Sequence, residues 1–206
     1  MADRPIIFSA PMVRAILAGT KTQTRRAIKA QPNAVHDGEP YWFIGGYRVW
    51  GYRPATAVPL RAGGNPMPCP YGQRGDRLWV RETHMDLGAC YIYRAEADAE
   101  RERALVAPGQ RWRPAIHMPR SASRITLELT AVRVERLQDI SAADAVAEWV
   151  DLQPRLVGYS KEAGCRWAPE DPCYAYCNLW EQINGPGSWG ANPWVWVLAF
   201  GRLEAP

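Results

Sequence analysis

The chain has 206 residues, 47% hydrophobic and 22% charged, which excludes disordered, collagen-like and coiled-coil chains. At roughly 150 residues per domain, that length points to one domain with insertions. Lys and Arg number 25 against 21 Asp and Glu, so the net charge of +4 permits a polyanionic partner without demanding one. Five cysteines, an odd and sparse set, argue against a disulfide framework and for reduced thiols or a metal site. Residues 1–9 carry no signal-peptide run, and the longest apolar stretch, 194–200, is far below the roughly 20 residues that cross a bilayer. The expectation is a cytoplasmic protein with no membrane partner.

In chain order, residues 5–8 read as a strand and 9–19 as a short helix. Ser9 is its cap, Pro11 lies in its first turn, Val13, Ile16 and Leu17 fall at i, i+3, i+4, and Gly19 is its stop. Thr20-Lys-Thr-Gln-Thr-Arg-Arg26 is polar and basic without core periodicity, which predicts a surface position at the helix exit. From 30 to 74, Pro32, Pro40, Pro54, Pro59, Pro66, Pro68 and Pro70 with Gly45-Gly46 and Gly63-Gly64 make a long regular element improbable. That stretch reads as an insertion with one short hairpin, 41–44 and 47–52.

A turn at Gly75-Asp76 leads into a strand with Leu78 and Val80 on one face, and 91–93 is a further short strand. Residues 96–103 form a charged, solvated stretch. Over 124–136, Ile125, Leu127 and Leu129 alternate and Val132 and Val134 continue in the opposite phase, which a bulge near Thr130-Ala131 would reconcile. Ser141-Ala-Ala-Asp144 is a capping box that starts a helix through Trp149. Asp171-Pro172 starts another, with Tyr176, Leu179, Trp180 and Ile183 as its apolar stripe and Gly185 as its stop. Gly185-Pro-Gly-Ser-Trp-Gly190 lacks the Lys-Ser/Thr ending of a phosphate loop and reads as a turn. Residues 194–200 close the chain as a buried strand. Strand, helix, several strands, two helices and a strand make an α+β fold around a partly closed, mostly antiparallel sheet.

The densest chemistry lies at Lys21, Thr22, Thr24, Arg25 and Arg26. A Lys beside a Thr eases formation of an alkoxide, as a desolvated base or as a positive field. A carboxylate would complete the set, and Glu148 is one of several candidates that spacing does not choose between. The plain alternative is that these cations complement the dipole of the preceding helix. Cys165, Cys173 and Cys177 invite a zinc reading with His84, His117 or Cys69 as a fourth ligand, although only Cys173-x3-Cys177 has knuckle spacing. The alternative is small buried residues one helical turn apart.

The run Ile16-Leu-Ala-Gly-Thr-Lys-Thr-Gln-Thr-Arg25-Arg26 resembles the signature of the ASCH domain, a PUA-like β-barrel family linked to RNA and modified nucleosides. Arg4-Pro-Ile-Ile-Phe-Ser9, Cys69-Pro-Tyr-Gly72, 75–83, Ile116-His-Met-Pro-Arg120 and Asn192-Pro-Trp-Val-Trp196 resemble a phage and prophage group of ASCH-like proteins. The resemblance implies a small PUA-like barrel over 1–206 with flanking helices, insertions at about 30–74 and 84–115, and a location in a bacterial host's cytoplasm. The bacterial N4-acetylcytidine amidohydrolases, one branch of the family, imply a Lys/Thr/Glu mechanism. Their Gly-x-Lys-x-x-Thr-x-Arg stretch fits Gly19, Lys21, Thr24 and Arg26, and their Glu fits Glu148 within Ala145-Val-Ala-Glu-Trp149.

The expected activity is therefore hydrolysis of an N-acyl amide on a modified nucleoside or base, with no cofactor. Lys21 takes the Thr24 proton, Thr24 attacks the carbonyl, and Glu148 protonates the departing amine. Such a role needs Lys21 to lose its proton well below the usual value near 10.4, through burial or a neighbouring cation. The competing expectation is an RNA or modified-base binding module, or an RNA-cleaving ASCH protein, with a basic rim of Arg25, Arg26, Lys29, Arg120 and Arg124. Trp42 and Trp112 are the stacking candidates, and His117 is a pocket candidate. A phage structural role has no direct support in these residues.

Overall fold

The computed structural model describes residues 2–29, 31, 34–36, 39–44, 48–51, 68–88, 90–97, 110–149 and 171–203. Ten strands are found among them: β1 Asp3–Ile7, β2 Gln23–Ala27, β3 Ala34–His36, β4 Glu39–Ile44, β5 Arg48–Gly51, β6 Arg77–Arg81, β7 His84–Asp86, β8 Tyr91–Tyr93, β9 Thr126–Arg136 and β10 Trp194–Leu203. The α-helices are α1 Ala10–Leu17, α2 Ala142–Ala147 and α3 Pro172–Asn184. The fold is α+β, with a mixed five-stranded sheet in the order β1-β6-β9-β10-β2. The expected closed barrel is not present among the described residues, and the β1·β6 pair is parallel.

By its contacts the chain divides into two compact units. One is Met1–Thr22, Tyr71–Thr130 and Phe200–Pro206, the other Gln23–Pro70 and Ala131–Ala199. In the first, β6 pairs β1 in parallel and β9 antiparallel, with Leu78 opposite Leu127. Leu78, Val80, Leu127 and Leu129 are all buried, as their alternation requires of a sheet with one covered face. Phe8 packs against Phe200 with ring centroids 6.0 Å apart, and Val13 and Ile16 of α1 are buried. The two-stranded β7·β8 sheet belongs to this unit.

In the second unit, β10 pairs β2 antiparallel, Val195 opposite Ala27 through Ala199 opposite Gln23. Val195 and Val197 join Leu137, Ile140, Ala145, Cys173, Tyr176, Cys177, Trp180 and Trp189 in one core cluster. The buried stripe of α3 is therefore set by Cys173, Tyr176, Cys177 and Trp180. Ile183, expected in it, is 57% exposed because it falls in the last turn before the Gly185 cap. Asp171 starts the helix as expected, accepting the Cys173 backbone N–H at 2.7 Å. The phase of burial in β9 changes as the alternation predicts: Leu129 and Val134 are buried, Thr130 and Ala131 both exposed. The expected hairpin is present as β4·β5, with Tyr41 opposite Gly51. Residues 98–103 of the expected charged stretch lie outside the described residues.

Candidate active site

The exit of α1 is fixed by backbone geometry. Gly19 takes a positive φ of 73°, which a residue with a Cβ adopts only at a cost, and the chain turns back on the helix end. The Ala15 carbonyl then accepts from the backbone N–H of Thr20 at 2.9 Å and of Lys21 at 3.2 Å, and from the Thr20 hydroxyl at 3.1 Å. The helix end is thus satisfied by Thr20 and the main chain. Lys21 takes part through its backbone N–H. Its side chain is turned inward at 2% exposure, with Nζ 5.8 Å from the centre of the Phe8 ring. The expectation that 20–26 lies on the surface is overturned for most of its length. Gln23, Thr24 and Arg25 are buried, because 23–27 forms the strand β2 against β10.

Strand alternation divides β2 into two faces. Gln23 and Arg25 share the face of Val197, which the core cluster covers. Thr24 and Arg26 share the opposite face with Leu198 and Trp196. The two β2 positions that the Gly-x-Lys-x-x-Thr-x-Arg stretch requires therefore fall together on one face, and the two intervening positions on the other. On the covered face the Arg25 guanidinium is fully buried and pairs with three carboxylates. Nη2 meets Glu135 and, at 3.0 Å, Asp144, while Nη1 lies 3.5 Å from Glu148. Asp144 and Glu148 are four residues apart, so both reach Arg25 from one side of α2. Ser141 caps the helix as expected, its hydroxyl accepting the Asp144 N–H at 3.1 Å, while the Asp144 carboxylate turns to Arg25, Arg133 and Gln23. Trp149 at φ 58° ends the helix immediately after Glu148.

The network closes through Arg133, which donates to Glu135 at 3.0 Å and Asp144 at 2.9 Å, and through Gln23, which donates to Asp144 at 3.1 Å. Burial alone would lower the Arg25 pKa, but the Glu135 and Glu148 charges more than compensate and it is raised. Burial would raise the Asp144 pKa, yet the Gln23 hydrogen bond and the Arg133 and Arg25 charges hold it below the usual carboxylate value. Tyr176, 5.8 Å under Arg25, has its hydroxyl pushed well above 10.0 by burial and by the Glu148 charge. A buried guanidinium among carboxylates is satisfied only by such a web of partners.

The chain finds no match among family models, curated proteins or solved structures. Function must be read from the chemistry of these groups.

Two members of the expected basic rim, Arg25 and Arg124, are held by carboxylates. Arg25 is committed inside the second unit. Arg124, in the first, forks onto Glu82 at 2.9 and 3.2 Å, pairs with Glu96 and lies 4.0 Å over the Tyr93 ring. Arg120 is exposed, pairs with Asp3 at 2.9 Å and lies 5.7 Å over the Trp79 ring. Lys29 is exposed and Arg26 half-buried. Trp42 sits in β4 opposite Trp50. Trp112 is half-buried with Arg94 5.6 Å over its ring, and His117 is exposed in a short 3-10 turn.

The zinc reading loses a ligand because Cys177 is disulfide-bonded, whereas Cys69, Cys90 and Cys173 are reduced thiols as expected. Cys173 is a free, buried thiol 3.6 Å from the Ile140 carbonyl, and Cys165 lies outside the described residues. Among the described residues no group of three His, Cys, Asp or Glu is placed to hold a metal ion. No described helix is long and apolar enough to cross a membrane.

Sequence reasoning missed Glu135, Arg133 and Tyr176 as companions of Arg25. The available signal was Arg133-x-Glu135, two opposite charges on one face of a strand otherwise patterned for burial.

Proposed function

We propose that the chain is an amide hydrolase of ASCH, PUA-like type, acting on an N-acylated nucleoside or base of the N4-acetylcytidine kind through Lys21, Thr24 and Glu148. The observation that carries the reading is burial. The three polar residues that the resemblance requires are 2%, 4% and 3% exposed respectively. Burial of such polar side chains is costly, and Glu148 meets it by pairing with Arg25. Thr24 and Arg26 share one face of β2, as a nucleophile and a cation for developing charge would; Glu148 meets Arg25 on the other face, and its part in the reaction rests on the resemblance alone.

In the proposed reaction the Lys21 amine accepts the Thr24 hydroxyl proton and the Thr24 Oγ bonds to the acyl carbon. The carbon–nitrogen bond then breaks, and Glu148 supplies the proton that leaves with the exocyclic amine. Water, losing its proton to Glu148, cleaves the resulting ester, and the Lys21 ammonium returns its proton to the departing Thr24 oxygen, so that the carboxylic acid is released and each group regains its starting state. Arg26 steadies the negative charge of the tetrahedral intermediate. Arg25 acts through Glu148, as a positioning residue. The rival expectation, binding without turnover, would give a complex and no product.

The test is incubation of the full chain with N4-acetylcytidine and related N4-acyl cytidines, with chromatographic detection of cytidine and the free acid. Lys21→Met, Thr24→Ala and Glu148→Gln should each lower kcat/KM by about 100-fold or more while the circular dichroism spectrum is retained. Full activity in all three folded variants would refute the assignment.

A further inference from the structure

We propose that the first unit carries a separate binding site, a cationic pocket for a phosphorylated ligand of nucleotide size. A cavity of about 650 Å³ is lined, among the described residues, by Arg111, Trp112, Arg113, Pro114 and His117. This volume is within the roughly 300–1,000 Å³ of small-molecule sites and far more than a bare inorganic anion fills.

The walls are held in place. Arg113 exchanges two backbone hydrogen bonds with His84 of β7, at 2.7 and 3.2 Å. Pro114 leads into the 3-10 turn Ala115–His117, and Met118, 1% exposed, anchors the segment in the core.

The lining is chosen for an oxyanion. Arg111, Arg113 and His117 are exposed, and Arg94 adds a further guanidinium over the Trp112 ring at 5.6 Å. Asp86 stands against them, 3.5 Å from Arg113, whose side chain stays 53% exposed. The Trp112 indole is half-buried among these cations, its Nε1 shielded from solvent. Guanidinium forks match phosphate oxygens in geometry as well as charge. Pro114 and the indole edge supply the apolar wall for the body of the ligand.

The site stands on the first unit alone and does not depend on the hydrolase reading, since it is read by affinity without turnover. Calorimetry of the full chain with CMP, AMP, ribose 5-phosphate, cytidine, inorganic phosphate and a short 5′-phosphorylated RNA tests it. The nucleotides should bind saturably and at least about tenfold more tightly than cytidine and than inorganic phosphate, a preference that weakens with added salt. The double variant Arg111→Gln/Arg113→Gln should lose about tenfold or more in affinity. Tighter binding of the RNA than of CMP would assign the phosphate to a strand end, and the reverse to a free nucleotide. Equal affinity for cytidine and CMP, or full CMP affinity in the double variant, would overturn the proposal.

Discussion

Strands β2 and β10 run side by side through five residue pairs and are buried by opposite means. Along β10, Trp194 to Leu198 and Phe200 are buried apolar side chains, each aliphatic one contributing about 1.5–3 kcal/mol by leaving water. Along β2 the buried residues are Gln23, Thr24 and Arg25, which gain nothing by leaving water and must find partners inside. The carboxylates of Glu135, Asp144 and Glu148 meet that need for Arg25. Such a web at best breaks even against a well-packed apolar substitute. Stability alone explains β10 and does not explain β2. The polar strand at the edge of the sheet is therefore where chemistry is expected.

The sharpest way to break this contrast is to remove the central charge. Arg25→Met should cost about 3–5 kcal/mol, because three carboxylates are left without their common counter-charge, whereas Leu198→Ala should cost about 3 kcal/mol through a simple cavity. Urea denaturation measures both. Adding Glu148→Gln should return part of the stability of Arg25→Met and none of that of Leu198→Ala, since only the first loss is electrostatic.

Acid sharpens the same point. The Asp144 pKa lies below its ordinary 3.8 in the folded chain, so its contribution is complete above that value and is lost as pH falls through the folded one. Melting temperature should drop below about pH 4, less steeply in Asp144→Asn. At the other end, the Tyr176 pKa is raised well above 10.0, so stability should fall as pH rises past about 10, where the unfolded tyrosine ionises and the folded one does not. The smallest effect is at the cap: Ser141→Ala should cost about 1 kcal/mol and loosen the helix that carries Asp144 and Glu148.

How much of this could be read in advance follows the same division. β10, β6 and the phase change in β9 were legible because apolar side chains repeat with the period of the strand that buries them. The starts of α2 and α3 were legible because Ser141 and Asp171 bond within their own turn. β2 was not, since Gln-Thr-Arg-Arg-Ala carries no apolar period and the partners that allow its burial are remote. Glu135 lies 110 residues along the chain from Arg25, and Glu148 lies 123. The stripe of α3 was displaced by part of a turn, the pattern Tyr176, Leu179, Trp180, Ile183 competing with the Cys173, Tyr176, Cys177, Trp180 face that the core covers. The parallel pairing of β1 with β6 depends on contacts some 74 residues apart and has no local signature. The Lys21, Thr24 and Glu148 set was named through resemblance, and nothing in their spacing would have chosen that glutamate.

The most direct measurement is the fate of N4-acetylcytidine in the presence of the purified chain and of its Thr24→Ala variant, followed by mass analysis of small molecules and protein together. The account predicts cytidine and acetate from the native chain, an acetyl ester on Thr24 at early times, and neither product nor ester from the folded variant. Cytidine released equally by both proteins, or by neither, would contradict it.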